Sequence, residues 1–385
     1  MRLSSNRSRG FSVVELLVSV AIGLLALVFA TRLITGSEQS KQSALGSSDS
    51  MQNGMLAMFS ISNDAQQAGF GLNDPIIIGC NTRFSDREGY ELAGATRGAA
   101  TVHPLAPAVI ESNGSAPDVI SLYAGSSPTG TGTLRLVTDY FGGTRLNVDR
   151  LPSYGFAMGD VVVVAPEKRG GDCALAQLSA QPGAAASVTV GGTSFRFNSG
   201  ELGLNFKGGK TRIFNLGPAK TLSLHTWSVA NGFLRLRSTD MAGSSATPAT
   251  VADNIVSIKA QYGFDTRTGS AFENRKGLGI MRWSTQMINA DGEGETGDAG
   301  DYEHVSALRI AVVARSKTRE RPVNGAACST TVNKPVVFAS KEPEGVTPVP
   351  MTVDVAVAGE TVDWRCYSYR VFETVVPLRN AGWNP

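Results

Sequence analysis

Six carboxylates crowd into thirteen residues: Asp291, Glu293, Glu295, Asp298, Asp301 and Glu303, within NADGEGETGDAGDYE at 289–303, which also holds four glycines. Hard oxygen ligands on a pliable loop are what calcium requires. The spacing is not that of an EF-hand, because no glycine at the sixth position is followed in register by a glutamate at the twelfth. The candidate ligands are Asp291, Glu293, Glu295, Asp298 and Asp301, with a plain solvated acidic loop as the alternative. Calcium is the only cofactor that the pattern brings forward. The three histidines, His103, His225 and His304, stand in unrelated contexts, and neither HExxH nor GxSxG occurs. FKGGKT, ending at Thr211, misses the phosphate-loop spacing because Gly203 falls one place too early. No catalytic residue is assigned.

A further acid stands apart from that cluster. Glu15 interrupts GFSVVELLVSVAIGLLALVFATR, residues 10–32, and a carboxylate at the centre of a bilayer costs about 2.5–3.5 kcal/mol, so its presence demands a partner. Between Leu16 and Ala30 there is no charge at all, and together with Phe11–Val14 the stretch reaches the roughly twenty residues needed to span. Arg2, Arg7 and Arg9 precede it. Positive charge on that side keeps the N-terminus in the cytoplasm and sends everything after Arg32 across the membrane. An ordinary secretory signal would carry its small-residue cleavage site after the apolar run, whereas here the glycine-aromatic junction comes before it.

Export bears on the four cysteines, Cys80, Cys173, Cys328 and Cys366, which have no CxxC spacing. In an oxidising compartment they favour two disulfides over a metal or redox site. Three connectivities are open, and pairing of chain neighbours, Cys80 with Cys173 and Cys328 with Cys366, closes the shorter loops. Losing the three arginines that precede Gly10 takes the formal charge from +2 to −1, which gives no electrostatic case for nucleic acid.

The elements that must position these groups fall into two kinds. From Phe11 to about Ala68 the chain is helix-compatible, first membrane-spanning to residue 35 and then polar to residue 71, and Met51, Met55, Met58, Ser62 and Ala65 predict a buried stripe. Gly36, Gly46 and Gly54, with the serines of 43–50, predict a break or flexible stretch. Beyond residue 72, alternating apolar and polar residues predict strands at Asp118–Ala124, Leu134–Asp139, Asp160–Ala165, Ser187–Val190, Arg212–Leu216, Leu222–Val229, Phe233–Arg237, Ile255–Phe264, Val305–Ala314, Val336–Ala339, Met351–Ala356 and Ser368–Pro377. Residues 93–117, 241–250 and 318–335 read as surface loops. The fold class is α+β: a long N-terminal helix, then a large β-rich head over 72–385.

At the residues GFSVVE the chain resembles a type IV prepilin. The resemblance implies a leader of residues 1–10, cleavage between Gly10 and Phe11 by a prepilin peptidase, N-methylation of Phe11, and pairing of Glu15 with a neighbouring subunit's free amine during assembly. QNGMLAMFSISNDAQQAGF at 52–70, GDVVVVAPEKRGGDCALAQL at 159–178, VADNIVSIKAQYGFDTRTG at 251–269, VSALRIAVVARS at 305–316 and YRVFETVVPLRNAG at 369–382 are similar to the PilW-like minor pilins. Residues 181–250 and the pair Cys328 and Cys366 are not placed in that pattern. The family implies a non-enzymatic subunit that is held in the inner membrane with its head in the periplasm and later enters the pilus. It implies as partners the peptidase, the major pilin and other minor pilins. A type II secretion pseudopilin shares the leader and stalk; a membrane-anchored periplasmic enzyme would need the clustered chemistry that the sequence lacks.

Overall fold

The computed structural model describes residues 12–127, 133–272, 277–320 and 327–380. An apolar, glycine-poor start and an acid in the first turn suit a helix, and α1 runs unbroken over Val13–Gln67, about 80 Å at 1.5 Å per residue. Ser12 caps it: its hydroxyl accepts from Val14 N at 3.4 Å, and Glu15 reaches back to accept from Ser12 N at 3.3 Å. The helix stops where Ala68 turns extended and Gly69 takes φ 84°. Val13–Ile34, with mean hydropathy 2.7, is long and apolar enough to cross a membrane, and none of it is buried against the described residues.

The expected break near Gly36–Gly54 is absent. Glycine weakens a helix by about 1 kcal/mol, but here two of these glycines let the helix approach its neighbours. A Cβ on Gly54 would sit 2.0 Å from the Phe372 ring, and one on Gly46 would lie 3.2 Å from Ser316 and Thr318. The predicted stripe holds at Ala65 and in part at Met58, and is corrected at Met51 and Met55 for the same reason. The face laid on the head is Gly54, Ala57, Ile61, Ala65 and Ala68, all small or slender, while Met51 and Met55 are turned to solvent and only Met58 reaches the core.

The head is built on three main sheets. Six strands run in the order Pro104–Leu105, Cys80–Arg83, Asp172–Gln177, Asp160–Pro166, Thr211–Pro218, Thr133–Arg135. Five run Ala249–Asp253, Phe233–Ser238, Ser223–Ala230, Val119–Ala124, Ala108–Glu111. Four run Arg282–Ser284, Ile255–Phe264, Val305–Arg315, Tyr369–Pro377. Pairing is antiparallel except between Cys80–Arg83 and Asp172–Gln177. Each expected strand has a counterpart, several shortened. Residues 93–117 are not the expected loop, for Ala95–Arg97, Ala100–Val102, Pro104–Leu105 and Ala108–Glu111 are strands there. Their alanines and short length hid the alternation on which strand recognition depends.

Period-two alternation explains the layering. In Asp160–Pro166, Val161, Val163 and Ala165 face the core shared with the five-stranded sheet, and Val162 and Val164 face a second core with Leu134, Leu146 and Phe206. A continuous valine run is what a strand buried on both faces requires. A third core gathers Ala57, Ile61 and Ala65 of α1 with Ile120, Trp227, Ile258, Leu308 and Ile310, so the helix closes over two sheets at once. Both disulfides follow the short-loop pairing, Cys80 with Cys173 and Cys328 with Cys366, with Cα separations of 5.9 and 4.9 Å.

Candidate functional site

Three places bear on function: the start of α1, its junction with the head, and the acidic loop. Gly10 and Phe11 lie outside the described residues. Glu15 is exposed on the apolar span, and among the described residues its carboxylate is held by the backbone of Ser12 alone. That capping bond is local and single, so the acid is free to exchange it for a cation brought to the same depth.

At the junction, Asp64 in the last turn of α1 accepts from His225 Nδ1 at 2.7 Å and from Trp227 Nε1 at 2.8 Å. The other ring nitrogen of His225 meets Asp240 Oδ1 at 2.8 Å and Ser223 Oγ at 3.0 Å. Burial would lower the His225 pKa, but its bonds to Asp240 and Asp64 outweigh that and carry it up to about 9. Asp240 feels burial first, which raises it, and the imidazolium then brings it below the usual carboxylate range. Ser223, His225 and Asp64 have the outline of a nucleophile triad. The chemistry is different, because an imidazolium between two carboxylates has no free lone pair with which to take a serine proton. The cluster is a clamp of strand Ser223–Ala230 onto the helix. The helix end is capped from the other terminus as well, by Asn380 Nδ2 at 3.3, 3.2 and 3.4 Å from the carbonyls of Gln66, Gln67 and Ala68.

The acidic loop brings together three of its five candidate ligands. Asp291, Asp298 and Asp301 each place a carboxylate oxygen within 4.8 Å of the others. Asp298 caps the short helix α2, Ala299–Glu303, accepting from Gly300 N at 2.8 Å and Asp301 N at 3.2 Å. Asp301 is buried and accepts from Gly297 N at 2.7 Å and from Ala290 N; Asp291 accepts from Glu293 N at 2.9 Å. Glu293 and Glu295 are exposed and lie outside this group, so the calcium expectation narrows to the three aspartates. The physical reason is the turn itself. Short aspartates fold back to satisfy loop N–H groups, and the longer glutamates extend away. Burial raises the Asp301 carboxyl, opposed by its backbone bonds and reinforced by Asp298 and Asp291. Glu303 is pushed up to about 7 by burial, against the pull of Arg169 at 3.1 Å, with Asp291, Asp74 and Asp298 adding to the rise. Its Oε1 is buried without a hydrogen-bond partner.

The clamp escaped the sequence reading because Asp64, His225 and Asp240 are far apart in the chain and form no motif. One signal was present: an acid in the last turn of a helix opposes the dipole there and calls for a cation nearby.

A helix long and apolar enough to span a membrane is clamped at its far end to a β-rich head, and two family models match parts of this chain. Residues 5–31 match the prokaryotic N-terminal methylation motif. Residues 224–380 match the family described as type IV pilus-assembly protein W, so a PilW domain and the methylation motif of prepilin-like proteins are both present in the chain. No curated protein and no solved structure matches it. The PilW match includes His225, Asp240, the acidic loop and Asn380. It also covers residues 224–250 and the Cys328–Cys366 pair, which the sequence reading had left unplaced, while the similar-looking segments 52–70 and 159–178 fall outside it.

Proposed function

We propose that this chain is a minor pilin: made with a leader of residues 1–10, cut after Gly10 by a prepilin peptidase, N-methylated on Phe11, and incorporated at or near the pilus tip, where it helps to start assembly with other minor pilins and the major pilin. In this reading the apolar span holds the protein in the inner membrane with its N-terminus cytoplasmic and its head, from about residue 72, periplasmic until it enters the filament. The function is structural and not enzymatic.

The observation that carries the reading is the continuity of α1. One helix leads from the methylation motif through the apolar span to the clamp at Asp64 without a hinge, so a subunit held by its N-terminal half presents its head in a fixed direction. Above the span, the side turned from the head carries an apolar patch between the exposed polar residues Gln52 and Asn63: Met55 and Leu56 are exposed, and Phe59 is 72% exposed. Exposed apolar surface on a helix is a contact surface for other chains. Glu15, with only a capping bond in the single chain, is placed to pair with a neighbour's new N-terminus.

The test is Glu15→Leu in cells that make the protein. The variant should insert, be processed and fold, with the same protease resistance of the head as wild type, yet fail to enter pili. Normal incorporation into surface pili would remove the assembly role. Gly10→Val, in parallel, should leave the unprocessed precursor in the membrane, and N-terminal sequencing that finds Phe11 at the start of that variant would contradict the cleavage site.

A further inference from the structure

A cavity of about 670 Å³ opens between the acidic loop and the strands of the 94–112 region. Its lining combines two chemistries. Ile110, Met287 and Tyr262 form an apolar floor, with Ile110 and Tyr262 buried. Glu111 and Glu295 stand at the exposed rim, and neither side chain has a hydrogen bond or ion pair among the described residues. The surroundings of Glu111 are dry enough that burial raises its carboxyl. The three aspartates of the loop lie a few residues along the chain from Glu295 and add negative charge to the same end of the head. Nearby, Arg97 donates to the carbonyls of Gly297, Gly170 and Gly79 and makes no ion pair with either rim carboxylate among the described residues. Tyr262 adds one more requirement. Its hydroxyl accepts from Ile110 N and still has a proton to donate, with no acceptor for it among the described residues.

An anionic rim over an apolar floor suits a cation on a hydrocarbon stem, because such side chains lay their methylenes on apolar surface and keep the charged head at the edge. A buried phenol with a proton to give suits a carbonyl oxygen beside that stem. We infer that this cavity receives an arginine or lysine side chain presented by the backbone of a partner protein. A free diamine shares the cationic chemistry but brings no carbonyl. The inference concerns binding alone and stands whether or not the chain acts in pilus initiation.

The test uses the full chain in detergent micelles and saturation-transfer NMR with three probes: acetyl-Gly-Arg-Gly-amide, the same peptide with citrulline in place of arginine, and agmatine. The arginine peptide should bind at least about tenfold more tightly than the citrulline peptide, and its affinity should fall as salt rises. Glu111→Gln combined with Glu295→Gln should weaken the arginine peptide by about tenfold and leave the citrulline peptide unchanged, in a protein whose circular dichroism matches wild type. Both residues are exposed, so folding is not at stake. Equal binding of the arginine and citrulline peptides, or no binding of either at about 10 mM, would overturn the inference. Agmatine binding as tightly as the peptide would overturn its assignment to a peptide partner.

Discussion

The junction between α1 and the head and the acidic end of the head treat charge in opposite ways. At the junction Asp64 and Asp240 enclose one imidazolium, and Asn380 caps the exposed carbonyls, so charges and backbone groups find partners inside the chain. At the acidic end Asp291, Asp298 and Asp301 gather with backbone N–H groups as their partners, Glu303 pairs one oxygen with Arg169 while the other is buried with no hydrogen-bond partner among the described residues, and Glu111 and Glu295 rim a cavity with no ion pair among the described residues. The junction is therefore built for rigidity. The acidic end carries more negative than positive charge, which costs stability in the isolated chain.

The largest effect should come from breaking the junction. His225→Gln removes the cation between two acids and should destabilise the head by about 3 kcal/mol at pH 6.5, the energy of a shift from 6.5 to about 9. The sign with pH follows from the raised pKa. The His225 contribution is complete below about 6.5 and is lost as pH rises through about 9, so the gap between wild type and variant in urea unfolding should close over that window. A gap that widens with pH would show that the histidine is buried neutral.

A smaller loss is expected where the helix meets the sheet. A Cβ at Gly54 would be 2.0 Å from the Phe372 ring, so Gly54→Val forces that ring or the helix to move and should cost about 1–3 kcal/mol, read as a lowered melting temperature. An unchanged melting temperature would mean that the helix is not seated as described. The smallest effect belongs to the acidic end. If the three aspartates hold calcium, about 1 mM calcium should raise the melting temperature of the full chain by a few degrees, and Asp291→Asn should abolish the gain. Identical curves with and without calcium would leave Asp298 and Asp301 as turn-forming residues only.

Much of this contrast was legible in the sequence, and what was hidden had physical causes. The apolar span, the long strands Ile255–Phe264 and Val305–Arg315 and the crowded acids all announce themselves locally, whereas the disulfide pairing was one of three open to the sequence and is settled by the fold. The buried face of α1 was right at Ala65 but misjudged at Met51 and Met55, because methionine reads as core, whereas a helix lying close on a sheet needs residues as small as Gly54 and Ala57. The clamp was invisible because its members come from three separate segments. Glu295 looked like one of five equivalent ligands, and only the folded loop separates it from the aspartates and turns it to the cavity.

The most direct test of the contrast compares two single substitutions by urea unfolding of the full chain at pH 8 without divalent cations. Asp64→Asn takes an acid from the paired junction and should lower stability, by about 1–3 kcal/mol. Glu303→Gln takes an acid from the acid-rich end, where burial holds the carboxyl at about 7, and should raise stability by about 1–2 kcal/mol despite the lost contact with Arg169. Opposite signs are the predicted result; destabilisation by both substitutions would contradict the account.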